Sequence, residues 1–349
     1  MSEGASSGGE NAVNLVVFRG YGTPQRLYLS GRVLRNGPDV AVLGASALSN
    51  LAAALRRLES DELPNVTVRA AYRDESWETT SDVEGYFVFE IEPQQALDGA
   101  QSWHEFTLTS LDLNTDSSGA PVPGRVLVPP PTATFGVISD VDDTILRSYI
   151  TSIVKMALEM LLKNAYTRAT FPGVPAFYRA LHAGARGDAA NPIFYVSLSP
   201  WNYYDLLSQF LAINEIPPGP LLLRDYGLQM LTQLRQPSSK RKLIQELLET
   251  YPALPFVLLG DSGQHDPEIY GEVVRENPGR ILAIYIRDVS DGEDGERAHE
   301  VTRLADEIRT CGVDMLLSAH TADFGAHAAA RGLIRPLDLR EDAEGAPGT

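Results

Sequence analysis

Three apolar runs in the second half of the chain each end on a side chain that can do chemistry, and this repetition constrains the fold more than any other feature. The first closes with VISDVDDT, Val137 to Thr144. On a strand, Asp140 and Asp142 project from the same side just where the chain leaves the sheet. Open α/β sheets bind their ligands at the carboxyl ends of their strands. Two carboxylates there point to a hard cation and nucleophilic chemistry. A calcium loop of the EF-hand kind also opens D-x-D, but it needs Gly at its sixth position and Glu at its twelfth. Those positions are Ile145 and Thr151. On this segment alone, a solvated acidic turn remains open.

The second and third runs add to the pattern. PFVLLGDSGQHD, Pro255 to Asp266, breaks at Gly260 and delivers Asp261 and then Asp266. NPIFYVSLS, Asn191 to Ser199, brings a hydroxyl at Ser197. Between them KRKLIQELLETY, Lys240 to Tyr251, reads as a helix with Leu243, Leu247 and Leu248 on one face and a basic amino end. Cations at that end oppose the helix dipole, so their placement suits an anion rather than the helix.

In this order, D-x-D-x-T, a strand-terminal Ser, a Lys opening a helix and G-D-x-x-x-x-D resemble the four motifs of haloacid-dehalogenase-like phosphatases. The resemblance implies that Asp140 is the nucleophile of an aspartyl-phosphate intermediate and Asp142 the general acid and base. It implies that Ser197 binds the phosphoryl group and Lys240 neutralises it, with Lys242 close enough to leave that assignment open. Asp261 matches the magnesium ligand and Asp266 the residue that supports the metal shell, so the expected Mg²⁺ set is Asp140, Asp142, Asp261 and Asp266. Thr144, Arg147 and Arg224 are candidate substrate contacts. The chemistry asks for the same residue types, because a carboxylate attacking a phosphate dianion meets like-charge repulsion that Mg²⁺ and a lysine offset.

A finer resemblance lies in DVDDTI, YVSLSPWN (Tyr195 to Asn202), GDSGQHDPEIY (Gly260 to Tyr270) and PGRILAIYIRDV (Pro278 to Val289). These are similar to the catalytic domain of the fungal actin-patch-associated phosphatidate phosphatases and their bacterial relatives, which share the D-x-D-x-T logic of the lipins. The likeness spans about Phe135 to Asp288 and implies Mg²⁺-dependent hydrolysis of phosphatidate to diacylglycerol. A soluble phosphorylated metabolite or a phosphoprotein is the rival substrate, and a non-catalytic scaffold on this fold is the rival class. About 50 residues separate the first motif from Ser197, too few for a large cap, which favours bulky substrates.

Charge narrows the partners. A net charge of −17 opposes nucleic-acid binding. Against that background, the cations Arg147, Lys155, Lys163 and Arg168, and Arg224, Arg235, Lys240, Arg241 and Lys242, flank the proposed site as an anion would favour, and for all but Lys240 ordinary surface clustering is the equal alternative. SYITSIVKMALEMLLKNAY, Ser148 to Tyr166, reads as an amphipathic helix edged by lysines, suited either to peripheral membrane contact or to core packing. Trp201, Tyr203, Tyr204 and Phe210 present the same choice between pocket lining and core. A lone cysteine, Cys311, excludes an internal disulfide. With no signal-peptide pattern and no apolar stretch near the ~20 residues needed to span a bilayer, the expected location is cytoplasmic, peripheral to the membrane at most.

The expected architecture is a Rossmann-like α/β catalytic domain of haloacid-dehalogenase type over 134–335, with a parallel sheet, preceded by a small β-sandwich over 13–120. Alternation in Val66 to Tyr72, Ser81 to Ile91 and His104 to Leu113 marks the sandwich strands, and the turn at Asp82 to Gly85 resembles transthyretin-like accessory domains. The proline-rich stretch 121–133 reads as a linker, and 1–12 and 336–349 as a disordered leader and acidic tail. His265 is the only histidine inside a motif, and a surface position is expected for it.

Overall fold

The computed structural model describes residues 13–35, 61–111, 120–141, 144–145, 170–224, 238–289 and 295–337. Asp142, Arg147, the helix expected over 148–166, the leader and most of the tail lie outside the described residues, as does the side chain of Arg224. The chain divides into two compact units, Met1–Val128 and Pro129–Thr349.

The first unit is built of strands β1 (Val13–Val17), β2 (Gly20–Thr23), β3 (Arg26–Arg35), β4 (Asp61–Glu62), β5 (Thr67–Tyr72), β6 (Glu75–Thr80), β7 (Tyr86–Ile91), β8 (Trp103–Ser110) and β9 (Val122–Leu127). Instead of two separate sheets, these strands form one hydrogen-bonded network in the order β1-β3-β2-β9-β8-β5-β6, with β4 and β7 also paired to β3. The long β3 is therefore shared by four antiparallel neighbours. Leu27, Leu29, Val68, Phe87, Phe89, Phe106, Leu108 and Val126 fill one core, each such side chain contributing ~1.5–3 kcal/mol on burial. Asp82 shapes the expected turn: its Oδ1 accepts the amides of Glu84 and Tyr86, both at 2.9 Å. Gly85 completes that turn at φ 77°, and a Cβ there would meet the Val33 carbonyl.

The linker expected over 121–133 needs correction. Val122–Leu127 is strand β9, antiparallel to β8 and parallel to β2. Val126 and Val128 are buried in the core, and the missing side chain of Gly124 leaves room for Leu108. The prolines flank and punctuate the strand without breaking the pairing, because Pro lacks only a donor, which a strand can spare at selected positions.

The second unit carries β10 (Gly136–Asp140), β11 (Ile193–Pro200), β12 (Leu221–Arg224), β13 (Phe256–Asp261), β14 (Ile281–Arg287) and β15 (Asp314–Ser318), with helices α1 (Val174–Ala183), α2 (Tyr204–Ile213), α3 (Ser238–Thr250), α4 (Asp266–Glu276), α5 (Gly295–Arg309) and α6 (Thr321–Ala330). All sheet pairs are parallel, in the order β12-β11-β10-β13-β14-β15. Every residue of β10 and β13 is buried, which is why these strands read as continuous apolar runs instead of alternating ones. Strand order reverses at β10, and doubly wound sheets open a ligand crevice at such a point. Both carboxylate-bearing strands border it. Among the described residues, no helix is long and apolar enough to cross a membrane.

Candidate active site

Asp140 is the last residue of β10 and lies level with Val196 of β11, while its predecessor Ser139 pairs with Leu259 of β13. Ser197 and Asp261 are thus each one residue further along their own strand, on either side of Asp140. The β11–β12 register breaks between Val196 and Pro200, so Ser197 sits where the strand becomes irregular. All three side chains are buried.

Lys240, in the first turn of α3, reaches into this crevice. Its Nζ donates to Asp140 Oδ1 at 2.7 Å and also to Asp266 Oδ1. The lysine and both carboxylates are 98% or more buried by side chain. Burial pushes the ammonium pKa down, but the charges of Asp140 and then Asp266 outweigh it and hold the group well above the ordinary lysine range. Lys242 lies elsewhere, 78% exposed and 4.0 Å from Glu246. Two residues along a helix turn the side chain by about 200°, so the two lysines cannot share a face.

The loop from Asp261 to Asp266 is organised around its own carboxylates. Asp261 Oδ1 accepts the amides of Gly263 at 2.8 Å and Gln264 at 3.0 Å. Asp266 opens α4, where an acid favours the helix dipole, and its Oδ2 accepts the Asp261 amide at 3.3 Å. A Cβ on Gly260 would stand 2.4 Å from Asp266 Oδ2 and 2.8 Å from Tyr270. Glycine is required here by close approach. His265 is exposed, as expected.

Asp140, Asp261 and Asp266 each offer an oxygen within 4.8 Å of the others, and all three are buried. The three carboxylates are therefore close enough together to offer oxygens to one divalent ion. The donor set is also all oxygen, the kind a hard divalent cation takes. Thr144 Oγ1 is buried and makes no hydrogen bond among the described residues, as fits a hydroxyl kept for a ligand.

Several contributors have no role assigned from the sequence, although Ser139, Tyr270 and Arg287 lie inside the motif strings. Ser139 Oγ and Tyr178 OH of α1 are 2.6 Å apart behind Asp140, and burial raises the Tyr178 pKa despite the Ser139 bond. Tyr270 OH donates to the Leu259 carbonyl at 2.8 Å; burial, then the charges of Asp266, Asp140 and Asp261, keeps this phenol protonated. Arg287, level with Asp261 in the sheet, donates to Ala319 O at 2.9 Å and Thr321 Oγ1 at 2.8 Å. Its place at a strand end was visible in the sequence inside PGRILAIYIRDV, but that string assigned it no role.

Residues 135–288, the segment that holds every one of these carboxylates, match the family model described as phosphatidate phosphatase APP1, catalytic domain. Over this segment the chain is similar to the APP1 catalytic domain. The chain is 35% identical over 168 residues to the phosphatidate phosphatase APP1 of Saccharomyces cerevisiae, covering 48% of this chain and 28% of the yeast protein. An uncharacterized protein of Schizosaccharomyces pombe is 27% identical over 250 residues, covering 68% of this chain and 40% of its own. The chain therefore spans well under half the length of both relatives. A carbohydrate acetylesterase from Xanthomonas citri superposes over 88% of this chain and 69% of its own at a TM-score of 0.32 and 12% identity, too low to bear on the APP1-type domain.

Proposed function

We propose that the chain is a Mg²⁺-dependent phosphatase of haloacid-dehalogenase type that hydrolyses phosphatidate to diacylglycerol. The observation that carries this reading is the buried Lys240–Asp140 pair at the sheet's reversal point, inside a segment matching the APP1 catalytic domain. Asp140, Asp261 and Asp266 would hold the ion, with Asp142 as the fourth oxygen donor read from the sequence. A bound Mg²⁺ would offset carboxylate charge and draw negative charge from the transferring phosphoryl group.

The remaining work falls to side chains. Lys240 holds Asp140 ionised and oriented, so that Oδ2 or Oδ1 can attack phosphorus and form an aspartyl phosphate as the alkoxide leaves. Asp142 gives that alkoxide its proton, then takes one from the water that attacks the phosphoenzyme. Ser197 and Thr144 donate hydroxyls toward the phosphoryl oxygens. Positioning and electrostatics supply the catalysis, and both depend on the site being dry, as the burial of Asp140, Thr144, Ser197 and Lys240 provides.

The test is phosphate release from phosphatidate in mixed micelles, with and without Mg²⁺, using Asp140→Asn as the blank. Release by the wild type that EDTA abolishes supports the whole reading. Equal turnover in EDTA removes the metal, and release only from water-soluble phosphomonoesters removes the lipid.

A further inference from the structure

Arg297 lies in the first turn of α5, beyond the 135–288 segment, and its guanidinium holds the loop that joins Asp261 to Asp266. Nε donates to Ser262 O at 2.9 Å and Nη2 to Gln264 O at 2.7 Å. The same fork meets Glu268 of α4 in a bidentate pair, Nη1 to Oε1 at 2.5 Å and Nη2 to Oε2 at 3.0 Å, with Glu300 Oε2 at 3.3 Å from Nη1. One side chain thus fixes two loop carbonyls and the first turn of the helix that Asp266 begins.

These contacts do more than staple a loop. The Ser262 carbonyl and the Gly263 amide belong to one planar peptide group, and that amide donates to Asp261 Oδ1 at 2.8 Å. A cation bonded to the carbonyl oxygen withdraws electron density from the peptide and makes its N–H a stronger donor, as in any hydrogen-bond chain. The relay runs from Arg297 through the 262–263 peptide to the carboxylate. At the loop's far end, the bond to Gln264 O and the grip on Glu268 fix the approach to Asp266. Planarity and a five-donor fork are what this needs, and lysine has neither.

We propose that Arg297 is a positioning residue that sets the Asp261 and Asp266 carboxylates for a divalent cation. The proposal rests on the metal reading given above. Residues that orient metal ligands without touching the ion typically change metal affinity by ~10–100-fold when replaced.

The test titrates Mn²⁺, as a stand-in for Mg²⁺, into the full chain and reads binding directly by calorimetry and by electron paramagnetic resonance. Wild type, Arg297→Lys and Arg297→Gln are compared with Arg309→Gln, a replacement on the same helix at an arginine that pairs only outside the site, with Asp306 and Asp314. The expected result is a loss of ~10-fold or more in Mn²⁺ affinity for both Arg297 variants and none for Arg309→Gln. In turnover, Arg297→Lys should raise the Mg²⁺ concentration for half-activation while leaving kcat at saturating Mg²⁺ within ~3-fold, since the group acts on the ion's ligands and not on the phosphoryl group. Wild-type Mn²⁺ affinity in a folded Arg297→Lys overturns the proposal. Failure of both variants to fold also overturns it, assigning Arg297 a purely structural role. A wild type that binds no Mn²⁺ sinks the metal reading itself, and that result is read before any variant is compared.

Discussion

Lys240 Nζ stands 2.7 Å from Asp140 Oδ1 across a separation of 100 residues, both groups almost wholly removed from water. Isolated, either charge would be too costly to bury. Together, and with Asp266 as the second acceptor, they make a charge cluster whose members depend on one another.

Replacing Lys240 by Met should therefore do more than slow the reaction. It strands Asp140 and Asp266 as buried carboxylates, a change expected to cost ~3–5 kcal/mol. Urea unfolding of the two proteins checks this. The pH dependence has a definite sign. Because the folded ammonium titrates above the ordinary lysine value of 10.5, its stabilisation is complete below that pH and is lost as pH rises through the folded value. The wild-type advantage over Lys240→Met should hold constant from about pH 7 to 10 and shrink only beyond. An advantage that declines before pH 9 would contradict the pairing.

Gly260→Ala places a methyl group against Asp266 Oδ2 and the Tyr270 ring. Overpacking of this kind costs ~1–3 kcal/mol, and here the atom that must move is a site carboxylate. Denaturant midpoints should fall, with Mn²⁺ affinity falling alongside. Unchanged affinity with lowered stability would separate the glycine from the site.

Asp142→Asn tests the proton-transfer role. Loss of a general acid lowers turnover by ~10²–10⁴-fold. Phosphate release read alongside a circular dichroism spectrum distinguishes this from misfolding, and turnover equal to wild type would reassign the acid.

His104 of the first unit is buried, with Nδ1 3.0 Å from Tyr72 OH. Burial lowers its pKa below the ordinary value of 6.5. The unfolded chain then takes up the proton first on acidification, so the stabilisation is full above pH 6.5 and lost as pH falls through the folded value. Thermal midpoints from about pH 7.5 to 5 should decline, and His104→Gln should flatten that decline. Identical profiles for the two proteins would place the pH sensitivity elsewhere.

The catalytic half of the fold was legible because parallel strands buried on both faces leave unmistakable apolar runs. The apolar runs that lead to Asp140 and Asp261 are the strands Gly136–Asp140 and Phe256–Asp261. The same half showed which helix mattered but not which lysine. Ile244, overlooked in favour of Leu243, shares the buried face with Lys240, Leu247 and Leu248, so the helical period held the answer. The first unit was harder. β3 has an alternating burial pattern that turns continuous beyond Ser30, where it takes on new neighbours, and β6 is a polar edge with no fully buried residue. Neither matches a single strand template. Arg297 was invisible for a different reason: two of its partners are main-chain carbonyls and Glu268 lies 29 residues away on another helix, which no local side-chain pattern records.

Arg287 closes the matched segment while its guanidinium is bonded to Ala319 and Thr321, and Tyr285 meets His327. The edge of the family match at residue 288 is therefore not an edge of folding. A fragment trimmed to the matched span would lose β15 and leave an arginine, a phenol and a loop with their tethers cut, so the packed second unit runs on through α6 to about Ile334, whose side chain is still buried.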